Sequence, residues 1–346
     1  MGLGIGGDYP VSAVLMSEYA NTRDRGKLVS LVFSMQALGL IAGPIVALTL
    51  LASGINPHIA WRLMLGLGAI PALAVIVLRR RMPESPRYLA QVKGQSAEAQ
   101  AKLAEFSGGQ TGTNATQADP VKRLTLGSML SQSRYWLLLL GTAGSWAVFD
   151  YAYYGNSISL PLVLKTVAPH ASATTSIAWS LIIFAVAAVP GYILAFFMID
   201  KIGHKKLQWM GFLLMGAAFG VIGLVPGLTK DVIPFLLIFG FSYFFAEFGP
   251  NTTTFVISAE VYPTSVRATG HGISAGVAKL GAFIGVFVFP LLNASLGLRG
   301  TLLITFGFAM IGVLLTLLLP EPNQMSLEEL EDASSSKAKV VRVVNE

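Results

Sequence analysis

The chain has 346 residues, 53% of them hydrophobic and only 12% charged, about half the roughly 25% charge of a soluble fold. That balance excludes an ordinary soluble domain, and the net charge of +6 implies no nucleic-acid partner because the basic residues collect in a few loops. With no cysteine, disulfides, thiolate metal sites and cysteine catalysis are excluded as well.

Charge-free runs at Leu28–Ala52, Ala171–Ile199, Leu207–Thr229 and Gly300–Pro320 reach or exceed the roughly 20 residues that cross a bilayer as a helix. The chain therefore reads as an all-α polytopic membrane protein. Breaks at Gly, Pro and charge clusters predict nine transmembrane helices, at 1–19, 28–52, 61–79, 135–163, 173–198, 207–225, 232–258, 270–296 and 300–319. In the first, Asp8 and Tyr9 precede Pro10 within a Gly6-Gly7-Asp8-Tyr9-Pro10 stretch, where the glycines permit close helix approach and the proline frees a carbonyl. The Gly2-x-Gly4-x-x-Gly7 spelling there is not a dinucleotide site, since no strand precedes it. Gln36 is a polar group within the uncharged second span.

Residues 80–134 are a polar connection with a short helix expected around Ser96–Phe106, and Asn114-Ala-Thr within it lies on the cytoplasmic side, away from glycosylation. In the fourth span Trp146, Asp150 and Tyr154 recur at i, i+4 and i+8, so an indole N–H, a carboxylate and a phenol share one helix face. Such a stripe on an apolar helix suits a cavity wall. Glu247 and Asn251 stand one turn apart around Pro250, and Lys279 lies in the eighth span. Ionisable groups inside a bilayer cost at least about 2.5–3.5 kcal/mol each at a helix centre and usually mark a pathway. Asp8, Asp150, Glu247 and Lys279 are the four that qualify. The small-residue pairs Gly39/Gly43, Gly216/Gly220, Gly272/Gly276 and Gly281/Gly285 read as helix-packing surfaces. The tail from 320 is polar, with capping-box spacing at Ser326 and Glu329 and disorder expected over Ser334–Glu346. No histidine spacing suits a metal, no Ser/His/Asp arrangement appears, and no cofactor or enzymatic activity is implied.

Nineteen of the 24 Lys and Arg fall in the connections after the first, third, fifth and seventh spans and in the tail. Those segments are predicted to be cytoplasmic, the C-terminus included, in a cell (plasma or inner) membrane. Tyr9, Glu18 and Arg25 are spaced by nine and seven residues, and so are Asn251, Glu260 and Arg267. This internal repeat, offset by 242 residues, maps the first three spans onto the last three. The three spans at 135–225 then call for counterparts ahead of residue 1. The chain is therefore expected to comprise the last three helices of an N-terminal half (1–79), the inter-half loop (80–134), a six-helix C-terminal half (135–319) and a cytoplasmic tail (320–346). The Glu18/Arg25 and Glu260/Arg267 pairs, at cytoplasmic helix ends, are expected to be exposed gating latches rather than substrate contacts.

These positions resemble a family. Gly6-Gly7-Asp8-Tyr9-Pro10-x-Ser12 continuing to Met16-Ser17-Glu18-Tyr19, then Phe33-x-Met35-Gln36, and Phe248-Gly249-Pro250-Asn251-x-Thr253-Thr254-Phe255 resemble signatures of the phosphate:proton symporters of the major facilitator superfamily. Pro83-Glu84-Ser85-Pro86-Arg87 is similar to a sugar-porter motif, and Asp200-Lys201-Ile202-Gly203-His204-Lys205-Lys206 resembles the general superfamily loop. The resemblance covers essentially the whole chain as helices 4–12 of twelve. It implies a secondary active transporter importing inorganic phosphate with protons across a lipid bilayer, with phosphate ligands at Tyr9, Gln36, Trp146, Asp150, Tyr154 and Asn251. Lys279 is then nearby and Asp8 in the proton path. Glu247 stands where the resemblance implies a neutral residue, and is a second candidate for proton coupling.

From the residues, the donors around one lysine suit a compact oxyanion, although a carboxylate could use them too. A porter for an organic acid or sugar, or an inactive or sensing fragment, stays open. Asp150 and Lys279 are expected to pair when substrate is absent, because neither is tolerated charged alone. The sequence sets no oligomeric state.

Overall fold

An apolar run in lipid can satisfy its backbone N–H and C=O groups only within itself, which a helix does completely. The computed structural model describes residues 2–79, 84–91, 93–106 and 124–331, and all the regular elements in them are helical. The first set is α1 (Gly2–Tyr19), α2 (Arg25–Ala52) and α3 (Pro57–Arg79). The polar connection carries α4 (Pro86–Gln91), α5 (Ser96–Phe106), the short helix expected there, and α6 (Leu126–Leu130). The expectations for Asn114 and for the tail beyond 331 lie outside the described residues.

In the second set α7 (Ser133–Leu139) runs through a wide π turn at Leu140–Gly144 into α8 (Ser145–Ile158), followed by α9 (Leu160–Val167). Next, α10 (Ala173–Ile183) and α11 (Val189–Ile202) share a π turn at Phe184–Ala188. After α12 (His204–Leu224), a third π turn at Glu247–Asn251 joins α13 (Val232–Ala246) to α14 (Thr252–Ser258). The last helix, α15, runs Arg267–Leu317.

Six stretches among the described residues are long and apolar enough to cross a membrane: Arg25–Ala52, His58–Ile76, Ala173–Ile202, His204–Leu224, Val232–Ser258 and Arg267–Leu317. The last has 51 residues, and at about 1.5 Å per residue it exceeds twice a bilayer core. Its backbone leaves the helical region at Gly297, where φ is 69°, between the two runs expected at 270–296 and 300–319. The two other expected spans coincide with α1, which carries Asp8 and Glu18, and with the helix that the Leu140–Gly144 π turn interrupts.

Aromatic residues fill the interior of the second set: Phe149, Phe212, Phe235 and Phe239 are fully enclosed. By contrast α3 turns Leu63, Leu65, Ile70, Leu73 and Ile76 outward, a continuous apolar face of the kind water does not tolerate on a monomer. Against α15, α8 packs backbone to backbone. A Cβ at Gly281 or Gly285 would run into the carbonyl oxygens of Ala147 and Tyr151, so this glycine pair sets how closely the two helices approach and places the side chains beside it.

Candidate functional site

Lys279 stands two residues before Gly281, where α15 touches α8, and the approach of the two backbones brings it onto the polar face of α8. Its Nζ lies 2.9 Å from Asp150 Oδ2 and 3.4 Å from the Tyr154 hydroxyl. The ammonium also sits 4.6 Å from the ring centre of Tyr154 and 5.3 Å from that of Tyr9, within cation–π reach of both. Asp150 is enclosed at 1% side-chain exposure, whereas Lys279 keeps 38%. The pair is thus closed on the carboxylate side and open on the ammonium side. Tyr9 lies nearly parallel to Trp146 (9°, ring centres 6.4 Å apart), and Phe255 meets both rings edge-on. Phe33 of α2 closes on Tyr9 from the other side. The site is therefore built jointly by the two helix sets. Next to it an apolar hollow of about 380 Å³ opens beside Tyr154, walled by Ile158, Ala282, Phe283, Val286 and Phe287.

The other expected residues lie around this cluster. Asp8 Oδ1 accepts from Ser12 Oγ one turn on, at 3.1 Å. Gln36 is half-buried on α2, its Oε1 enclosed with no donor among the described residues, and no described contact joins it to Lys279. Around Pro250 the chain leaves helical geometry at Gly249 (φ −109°, ψ −107°), where α12 comes close with its own Gly211. The resulting turn directs Glu247 and Asn251 to the same side. Asn251 Nδ2 donates to the Tyr192 hydroxyl at 2.8 Å and to Glu247 Oε2. Tyr192, in turn, lies 6.3 Å from Phe33, which borders Tyr9. Sequence reasoning passes over Tyr192 because a single tyrosine in the apolar run of α11 shows no period. Burial is its only signal, since an enclosed phenol needs a partner.

The latch residues require a correction. The expected pairs were Glu18 with Arg25 and Glu260 with Arg267, exposed at helix ends. Instead they cross between the helix sets: Arg25 Nε lies 3.0 Å from Glu260 Oε1, and Arg267 Nη1 lies 2.9 Å from Glu18 Oε1. All four are buried. The spacing of seven spans the break between two helices, so Glu and Arg of one repeat point apart and each meets its counterpart across the pseudo-symmetric contact. Sequence reasoning also missed what surrounds them. His204 places Nδ1 3.1 Å from Glu260 Oε2 and Nε2 3.1 Å from Asp200 Oδ1, which a ring can satisfy as donor on both sides only when doubly protonated. Arg25 also donates to the carbonyls of Pro322 and Met325, and Ser85 to Glu18. Burial pushes the Glu260 carboxyl up, but the charges of His204 and Arg25 outweigh it and hold the group below its ordinary value.

Residues 1–333 match the family described as sugar (and other) transporters. The chain belongs to that family. It is 36% identical over 367 residues to an Arabidopsis thaliana protein named "Probable inorganic phosphate transporter 1-6", covering 95% of this chain and 70% of that one. It is 35% identical over 381 residues to inorganic phosphate transporter 1-6 of Oryza sativa subsp. japonica, with the same two shares. Among solved structures it is similar to the proton:xylose symporter XylE, with a TM-score of 0.76 and 24% identity, covering 94% of this chain and 70% of that one. The transporter thus has the major facilitator fold, and the lysine–carboxylate cluster lies where its two helix sets meet.

Proposed function

We propose that this transporter is a secondary active carrier that imports inorganic phosphate with protons. The observation that carries the reading is a lysine held against an enclosed carboxylate, Lys279 on Asp150, and walled by the rings of Tyr9 and Tyr154, the Tyr154 hydroxyl and the indole stacked on Tyr9. A compact oxyanion needs a cation with several neutral donors. The names of the two relatives support the same substrate. Tyr9, Gln36, Trp146, Tyr154 and Asn251 are the proposed ligands beside Asp150 and Lys279.

In the proposed cycle, the anion arriving on the open side of Lys279 meets the Asp150 carboxylate as a like charge. That favours a proton on Asp150, which then donates to a phosphate oxygen while Lys279 keeps its charge for the anion. Asp8 relays the proton to bulk water. Nine crossings with a cytoplasmic C-terminus in the cell membrane fit the loop charges, with α1 and the α7–α8 run as crossings and α15 crossing twice about Gly297. The crossed pairs Arg25–Glu260 and Arg267–Glu18 hold the cytoplasmic side closed, and their separation accompanies rocking of the halves.

Uptake of labelled phosphate into proteoliposomes tests the reading. An inwardly directed proton gradient should drive accumulation. Asp150→Asn, a mimic of the protonated state, should retain binding and exchange yet lose accumulation and its pH dependence. Gradient-independent uptake would overturn the coupling, and better uptake of an organic acid would overturn the substrate. Accumulation by Asp150→Asn would move the coupling proton elsewhere, with Glu247 next in line.

A further inference from the structure

Glu247 is fully enclosed, and no cation touches its carboxyl among the described residues. Asp150 has Lys279, and each latch carboxylate has an arginine or a histidine; Glu247 has an amide and phenols. Its Oε2 accepts from Asn251 Nδ2, and the enclosed hydroxyls of Tyr153 and Tyr192 face the same carboxyl. A buried ionisable group in lipid without a countercharge is costly, so its presence calls for a task that a leucine would not perform.

The bonds around Asn251 indicate that task. A primary amide has two N–H donors and one carbonyl acceptor. Asn251 directs Nδ2 at both Tyr192 OH and Glu247 Oε2, so both of its hydrogens are committed. Its Oδ1 meets no donor among the described residues. With Glu247 ionised, the amide cannot turn over without aiming that oxygen at a carboxylate that only accepts. Asn251 therefore meets a substrate as a hydrogen-bond acceptor, not as a donor.

An acceptor beside an anion discriminates strongly. It bonds to a P–OH, but it opposes an oxyanion without protons, because two acceptors then face each other. We propose that Glu247 is a positioning residue that locks Asn251 as an acceptor, so that the site prefers a protonated oxyanion such as dihydrogen phosphate over an unprotonated one such as sulfate. The inference rests on Asn251 being a substrate ligand, as in the proposed function.

The test is binding of labelled inorganic phosphate to the purified protein in lipid nanodiscs, with unlabelled sulfate as competitor. In the unaltered protein sulfate should compete poorly. Glu247→Leu frees the amide to turn an N–H toward the anion, and sulfate should then gain about tenfold or more relative to phosphate, the effect of about one hydrogen bond made or opposed. Should Glu247→Leu fail to fold, Glu247→Met, closer in volume and equally without an acceptor at that place, is read the same way. An unchanged preference in Glu247→Leu, or in Glu247→Met where that replaces it, overturns the inference alone. Binding of neither anion by the unaltered protein overturns the oxyanion reading and this inference with it.

Discussion

At the loop ends Arg25, Glu260, His204, Glu18 and Arg267 are enclosed, and each meets an opposite charge brought from another part of the chain. Beside α8, Lys279 is left 38% exposed over an enclosed Asp150, and the rest of its surroundings are rings and hydroxyls. Charges are matched in both regions, but burial is complete in the first and partial in the second. A buried pair with every charge matched has one good arrangement and resists change, since removing a partner strands the other. A cation with an open side can change partners as an anion comes and goes. The contrast separates an enclosed contact between the helix sets from the proposed binding site.

Breaking the fully buried region should have the largest effect. Glu260→Leu leaves Arg25 and His204 without their shared carboxylate, and the closed arrangement should lose about 3–5 kcal/mol. Glu260→Gln retains hydrogen bonding and should lose less. Since the chain has no cysteine, Ser17→Cys gives a clean reporter: Ser17 is fully enclosed beside Glu18 and should react with a thiol reagent only when the latch parts. Faster labelling in Glu260→Leu is expected, and equal labelling would remove the gate assignment. Phosphate affinity should stay within a few fold.

The same reporter sharpens the contrast by pH. Because Glu260 is held below its ordinary value of 4.5, its folded value is depressed relative to the unfolded one. Its contribution is thus present above the unfolded value and lost as pH falls through the folded one. Ser17→Cys labelling, followed with a reagent that reacts in acid, should be insensitive to this carboxyl at neutral pH and rise only below about 4.5. A rise beginning near neutrality would mean that another group controls closure.

A smaller effect is expected where the partly buried region depends on helix contact. Gly281→Ala places a methyl against the Ala147 carbonyl, and overpacking of this kind costs about 1–3 kcal/mol. Its specific signature should be a wider gap between α15 and α8, separating Lys279 from Asp150. Gly276→Ala, with open space around it, is the control. If Gly281→Ala lowers thermal stability yet leaves phosphate binding and its pH dependence intact, the glycine pair does not place the lysine.

Much of this was legible in the sequence where local periodicity carried it. Trp146, Asp150 and Tyr154 at intervals of four identify a polar helix face, and a cost argument alone joins Asp150 to Lys279 across 129 residues. Helix starts were read late: hydropathy begins the second span at 28 and the eighth at 270, whereas the helices begin at Arg25 and Arg267. Those arginines look like loop residues because the carboxylates that neutralise them lie more than 200 positions away. The same distance hid the crossing of the pairs. Spacing within a repeat shows that Glu and Arg recur, but which Glu meets which Arg is decided by how the sets pack. Tyr192 and His204 were missed for a related reason, since their partners come from α13–α14 and from the loop after it.

The smallest expected effect concerns Gln36, the proposed ligand with the least visible support. An enclosed amide oxygen without a donor is a liability in the resting protein, costing about 1–3 kcal/mol relative to a satisfied one. Replacing it by Leu removes that penalty and keeps the volume close. Gln36→Leu should therefore leave thermal stability unchanged or slightly raised. If Gln36 turns toward the anion when phosphate binds, the same substitution removes one hydrogen bond and should weaken binding by about five- to tenfold. The two measurements then move in opposite directions, which a packing role does not produce, because helix glue would lower stability and leave affinity alone. Loss of stability with unchanged phosphate affinity would take Gln36 out of the site and leave the anion to α1, α8, the turn before α14, and α15.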